Sequence, residues 1–271
     1  MSNKFRQNWF LIVFFVFLII KTFFYNYIFD IASSPDINYH IGVSNIYRKN
    51  PQVLFFWNLE DVKIECKDSV KYNPRIATSP FLYHSIVGKI WFLTDSIQLT
   101  ALIQTSFGLL AIYFVYLLAK LVSQDRLVSY LALVIAGTIS MWFYEFNYII
   151  YDNLVNLAGI GSIYFLIKYW KFKNIKDLMF LFIFLLIGCL TKITFGPLLI
   201  IILVFLLVII NKNLLIVTKN LFSFLFNKKN WLINLIFGFF LIITILFYGR
   251  NLIKYKMIIP NYSYKLERNC P

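Results

Sequence analysis

Charge is scarce in this chain. Asp, Glu, Lys and Arg make up 14% of its 271 residues and apolar residues 60%, whereas a water-soluble domain carries roughly 25% charged and 45–50% apolar residues. That balance excludes an ordinary soluble domain and points to an integral membrane protein. Acid is scarcer than base: 12 Asp and Glu against 26 Lys and Arg, for a net charge of +14. The cations are scattered through the stretches between apolar runs and form no patch. Orientation in a bilayer and contact with anionic lipid account for them better than nucleic acid does. Cysteines number three, and the spacing of Cys66, Cys189 and Cys270 excludes both a zinc ligand set and a disulfide framework. Strict apolar–polar alternation is also missing, which excludes a membrane β-barrel and leaves α-helices. Neither a tandem repeat nor an inverted pair of broken helices, a transporter signature, is visible.

What is present is a series of apolar runs. Residues 9–29 follow Lys4 and Arg6; the run is too long for a signal sequence and has no small-residue cleavage site. It reads as an uncleaved anchor with the N-terminus inside. Residues 30–97 form a long outer segment. It contains Ser33-Ser34-Pro35-Asp36-Ile37-Asn38-Tyr39-His40, a charged stretch from Glu60 to Arg75, and Thr78-Ser79-Pro80-Phe81-Leu82-Tyr83-His84. The last leads into an amphipathic run to about Leu93, expected to lie in the interface. Further spans are predicted at 98–119, 127–143 and 147–167. Residues 178–211 as one helix would run about 50 Å against a bilayer core of about 30 Å. Gly196-Pro197 is expected to break them into two short spans. Both the Lys168–Lys176 basic run and the group Lys212, Lys219, Lys228 and Lys229 then lie inside. Residues 214–226 are predicted to lie on the surface, and 231–248 to form a seventh span ending in an outer tail, 249–271. A composition rich in Phe, Ile, Tyr, Asn and Lys looks like an AT-rich coding sequence and hints at a bacterium; the expected location is a bacterial inner membrane.

Asp36 and His40 are four apart, on one face if the turn after Pro35 is helical. Asp36 is a general base on one reading and a helix cap on the other, and the two are compatible. Asp152 is expected a turn and a half inside the fourth span, where a carboxylate is costly and a functional candidate; an interfacial Asp satisfied by a neighbouring helix is the alternative. Lys192 sits where the fifth span reaches the outer surface, to snorkel there or to neutralise a phosphate. Glu145 reads as a loop residue and Lys21 as a snorkelling one. Carboxylates at one face, a cationic rim and an apolar bundle suit attack by a hydroxyl on a lipid-phosphate-linked sugar, with cations stabilising the departing phosphate.

The order of these pieces resembles the GT-C membrane glycosyltransferases, in particular the family 39-like group of protein O-mannosyltransferases and aminoarabinose-type lipid A transferases. Pro35-Asp36-Ile37-Asn38-Tyr39-His40 is similar to the family's Asp-Glu-x-x-His, and Ser79-Pro80-Phe81-Leu82-Tyr83 to its His-Pro-Pro-Leu-Tyr. Tyr151-Asp152-Asn153-Leu154 looks like its polar site after the third span, and Leu190-Thr191-Lys192 like a recurrent Thr-Lys. Tyr248-Gly249-Arg250-Asn251-Leu252 and Ile259-Pro260 resemble the stretch after the seventh span. The resemblance implies an all-α, GT-C-like bundle of about seven transmembrane helices. It implies inverting transfer from a polyprenyl-phosphate sugar to a hydroxyl of an envelope lipid, glycan or protein. Asp36 would be the base, and His40, Tyr83, Asp152, Asn153, Lys192, Arg250, Asn251 and Lys254 would bind substrate. No cofactor or metal ligand is implied, and a divalent-metal requirement stays open.

Departures are Ile37 in place of the family's Glu, and Thr78-Ser79 in place of His-Pro. Relatives continue through more spans, so the chain is expected to lack their C-terminal part. Cys66 and Cys270, both outside in this topology, could pair. Two alternatives stand beside the transferase: a non-catalytic relative or assembly partner in the membrane, and a lipid-linked-sugar transporter.

Overall fold

The computed structural model describes residues 3–28, 35–55, 63–66, 69–72, 80–139, 147–211 and 214–258. The first elements are α1 (Asn3–Ile28), α2 (Pro35–Lys49) and a small antiparallel hairpin, β1 (Lys63–Cys66) with β2 (Ser69–Tyr72), in which Lys63 faces Tyr72 and Cys66 faces Ser69. The rest is helical. It comprises α3 (Leu82–Thr94), α4 (Ile97–Ser123), α5 (Arg126–Thr138), α6 (Asp152–Phe172), α7 (Ile175–Thr191), α8 (Gly196–Ile210), α9 (Leu214–Leu225) and α10 (Trp231–Tyr255).

Three of the helix–helix turns share one device. A residue in the left-handed region ends one helix, and the side chain of the next residue caps the following helix. Asp95 (φ 50°) precedes Ser96, whose hydroxyl accepts from the Leu99 N–H. Gln124 (φ 58°) precedes Asp125, whose carboxylate accepts from the Leu127 and Val128 N–H groups. Lys173 (φ 53°) precedes Asn174, which accepts from the Lys176 N–H. The left-handed residue costs about 1–2 kcal/mol, and a good cap recovers about 1 kcal/mol. Two-residue turns leave the chain no room but to double back, so α4 and α5 pair, as do α6 and α7.

The α6–α7 hairpin is central. α4 packs along α6, α5 returns along α4, α1 lies against α4, and α8 and α10 flank the hairpin. Across one end lie α2 and α3. They approach closely at Gly88, where a Cβ would stand 2.5 Å from the Ser44 carbonyl oxygen and from the Tyr47 Cβ, so no larger residue fits without a shift. Phe55, Phe81 and Phe247 join this pair to α10. A second apolar cluster, with Phe165, Leu181, Leu185 and Phe195, holds α6, α7 and α8 together. A third, with Phe14, Leu18, Ile112 and Leu133, holds α1, α4 and α5.

Among the described residues, three helical stretches are long and apolar enough to cross a membrane: Ile97–Ser123, Ile193–Ile210 and Lys228–Lys254. The apolar parts of α1 (Trp9–Tyr25), α5 and α9 are shorter. Helix boundaries differ from the sequence reading in several places: α5 ends at Thr138 where the third span was expected to reach 143, and α10 continues to Tyr255, into the expected outer tail. The break in 178–211 falls at Lys192, which is extended (φ −150°, ψ 135°), followed by a 3-10 turn over Ile193–Phe195. Gly196-Pro197 begins α8 rather than interrupting a helix, with the proline in the first turn where its missing N–H costs nothing. The fourth helix starts at Asp152, not at 147. The Tyr148 carbonyl accepts from the Gln104 amide (2.7 Å) and from Asn153 (3.4 Å), so its oxygen is engaged outside any helix. Glu145, the Thr78-Ser79 pair, Cys270 and the Cys66 side chain lie outside what is described.

Candidate functional site

The polar residues singled out in the sequence converge at the α2–α3 end. Asp152 is the first residue of α6, and its carboxylate accepts a hydrogen bond of 2.6 Å from the Lys192 ammonium. The helix N-terminus favours a carboxylate there. Each side chain of this pair keeps 24% of its surface exposed. The ammonium also lies 4.3 Å from the centre of the Tyr151 ring, a cation–π contact. Lys192 owes its place to the turn that carries it. Its N–H donates to the Gly188 carbonyl (3.1 Å), its carbonyl accepts from the Phe195 N–H (3.1 Å), and the Phe195 ring sits directly on Gly188, where a side chain would collide with it.

His40 and His84 meet in the adjacent layer. The Nδ1 of His40 lies 2.8 Å from the Nε2 of His84, with the rings stacked at 5.1 Å, and both residues are buried. One ring N–H of the pair donates to the other ring's lone pair. Burial, and then the neighbouring His40, push the His84 pKa down to about 3. Tyr151 stands perpendicular to His40 at 4.4 Å. Tyr83 is fully buried and donates to the Gln104 carbonyl oxygen (3.3 Å), which also accepts from Asn153 (2.8 Å). Burial holds the Tyr83 phenol well above its ordinary pKa.

Helix α2 begins at Pro35, so the backbone places Asp36 and His40 one turn apart on the same helix; the Asp36 side chain lies outside the described ones. Arg250 and Asn251 lie on α10. The buried Arg250 guanidinium donates to the Asn251 carbonyl oxygen (2.5 Å) and lies over the rings of Phe247 (5.2 Å) and Phe55 (5.8 Å). Its charge lowers the Tyr47 phenol pKa, which burial nonetheless carries far above the ordinary value. Lys254 is exposed in the last turn of α10.

Below Lys192 runs an apolar groove of about 640 Å³ between α7, α8 and α10. Lys192, Ile193 and Ile258 form one end, and Leu221 of α9 closes the other. Tyr248 on its wall donates to the Cys189 carbonyl (2.6 Å), fastening α10 to α7 just before the Lys192 turn. Pockets of this size hold drug-sized ligands, and this one is lined almost wholly by hydrocarbon, with Lys192 among its lining residues. Among the described residues no three of His, Cys, Asp and Glu cluster to hold a metal ion.

The sequence reading thus placed His40, Tyr83, Asp152, Asn153 and Lys192 in one region, and the structure brings them together there. His84, Gln104 and Tyr151 were missed as site residues. The rarity of histidine, two in 271 residues, and a glutamine inside an apolar run were usable signals; a tyrosine among 18 carried none. No protein family, curated protein or solved structure matches the chain.

Proposed function

We propose that the protein is a multi-pass membrane glycosyltransferase of GT-C-like architecture, with about seven spans. It transfers a sugar from a polyprenyl-phosphate donor to a hydroxyl acceptor of the cell envelope at the outer face of a bacterial inner membrane. The single observation that carries this reading is Lys192, which lines the apolar groove while its ammonium is held beside it by Asp152. An ammonium has three donors; one is used on Asp152, which leaves the others for phosphate oxygens. The isoprenoid chain lies behind, in apolar surroundings that match it.

In the reaction, the Asp36 carboxylate takes the proton of the acceptor hydroxyl as its oxygen attacks the anomeric carbon. The bond from that carbon to the donor phosphate oxygen breaks with inversion. The phosphate keeps the electron pair, and its growing charge is stabilised by Lys192. Tyr151 and Asp152 hold Lys192 on the sugar's side of the site, and the buried His40, Tyr83 and Asn153 support them from behind.

The test uses membranes containing the protein and a labelled polyprenyl-phosphate sugar. Donor consumption that collapses in Asp36→Asn, with insertion unchanged, is the expected result. Loss of donor at background level in both proteins, with envelope acceptors supplied, would sink the reading in favour of a non-catalytic membrane partner.

A further inference from the structure

Tyr151 stands between the two polar pairs of the site. Its ring lies 4.3 Å from the Lys192 ammonium. The same ring is perpendicular to His40 (4.4 Å, 82°) and to His84 (6.1 Å, 87°). A ring held on two sides by such contacts cannot turn about its side-chain torsions without breaking one of them. Asp152, the next residue, holds Lys192 by a hydrogen bond. The chain just before them is also pinned, because the Tyr148 carbonyl is engaged by Gln104 and Asn153. The position of the ammonium therefore depends on a ring that the imidazoles themselves hold in place.

We infer that Tyr151 is the positioning residue of the groove mouth: it holds the Lys192 ammonium in place for an anionic lipid headgroup and ties it to the His40–His84 pair. The inference rests on the reading of the groove as a lipid-phosphate site. Its consequence is that a phosphate bound at Lys192 is felt by the imidazoles. A cation across one ring disfavours a second positive charge on the pair, and an arriving phosphate opposes that effect.

The groups facing the imidazole pair come from several elements. Tyr39 lies on α2 and Tyr83 on α3, each against His84. Tyr151 and Asp152 open α6, and Lys192 follows α7. Tyr47, two turns along α2, lies under the influence of Arg250 from α10. Asp36, one turn before His40, is the neighbour whose side chain is undescribed.

The presence of just two histidines makes the experiment direct. Ring 15N resonances of the full chain in lipid nanodiscs are followed from pH 7.5 to pH 2.5, a range that spans the depressed His84 titration, with and without undecaprenyl phosphate. In the native protein the probe moves both histidine signals. Tyr151→Phe keeps the ring and behaves as the native protein does. Tyr151→Leu binds the probe about tenfold more weakly, the scale of a desolvated cation–π contact, and at saturation leaves the histidine signals where they were. Without any probe, Lys192→Gln moves the onset of histidine protonation up by roughly half a pH unit.

Native affinity in Tyr151→Leu, or histidine signals that still respond to the probe there, overturns the inference. So does a Lys192→Gln protein whose histidines titrate as in the native chain. A native protein that binds no probe, combined with the expected Lys192→Gln shift, supports the positioning link and removes the lipid-phosphate reading, so the two failures are distinct.

Discussion

The two histidines of the chain, 44 residues apart in sequence, share a hydrogen bond of 2.8 Å and stack within 15° of parallel. Their contact is part of a crossing of α2 and α3 in which α3 has given up bulk. Gly88 lies one turn after His84 and takes the Ser44 carbonyl and the Tyr47 Cβ against its bare backbone. Farther along, Arg48 pairs with Asp95 and lies over the Trp91 ring (4.9 Å).

This crossing weakens as pH falls. The His84 pKa is depressed to about 3 in the fold, whereas an unfolded histidine titrates near 6.5. Between those values the unfolded chain binds a proton that the folded one refuses, so stability rises with pH across that window and is complete above about pH 6.5. The slope approaches about 1.4 kcal/mol per pH unit for one such proton. Amide protection factors in α2 and α3, corrected for the intrinsic pH dependence of exchange, should fall on going from pH 7.5 to 5, and His84→Gln should flatten that dependence. An equal pH response in the variant would assign the effect to another group.

At the opposite end of the α6–α7 hairpin, Lys168 pairs with the buried Asp177 at 2.9 Å. Asp177→Asn leaves an ammonium beside an uncharged amide at the helix turn. The expected cost is about 1–3 kcal/mol, below that of a fully buried pair because Lys168 is one-third exposed. Thermal unfolding in detergent measures it. Affinity for polyprenyl phosphate should not change, since the groove mouth lies at the other end of α7.

Gly188→Val places two methyl groups where the Phe195 ring now sits. The ring must leave, and with it the 3-10 turn that carries Lys192. A stability loss of about 1–3 kcal/mol is expected from overpacking. The informative readout is the Lys192–Asp152 pair. A double-mutant cycle with Asp152→Asn should show coupling to Lys192 in the native background and little in the Gly188→Val background.

How far these features were legible in the sequence depended on whether their cause was local. Apolar run length indicated the helices at 98–119 and 231–248, because burial against hydrocarbon or protein needs only composition and period. The cap signals Ser96, Asp125 and Asn174 are local too. Asp152 was misplaced by a turn and a half because what stops the helix short of it is the amide of Gln104, on another helix. The break at Lys192 was assigned to Gly196-Pro197 for a similar reason: its cause is a phenyl ring resting on Gly188, and such packing leaves no periodic trace. His84 stood in a quoted motif, yet nothing in either helix alone says that it meets His40. That meeting is set by a glycine whose importance lies in the partner helix.

Gly196 offers the sharpest test of the groove. It lines the cavity, and a Cβ built there meets nothing within 4 Å. Its backbone is right-handed helical (φ −52°, ψ −49°), which any residue adopts. The fold therefore has no objection to a side chain at this position, and the occupant of the groove does. Gly196→Ala should leave stability and affinity near native. Gly196→Phe should unfold within a few degrees of the native protein yet bind undecaprenyl phosphate at least about tenfold more weakly, because the ring takes up space that the isoprenoid needs. Binding measured by intrinsic fluorescence, with an alkyl phosphate too short to reach the groove as comparison, separates the terms. The short phosphate should lose little in Gly196→Phe and much in Lys192→Gln, since its affinity comes from the ammonium alone. Undiminished binding of the long chain to Gly196→Phe would mean that the tail lies elsewhere on the bundle.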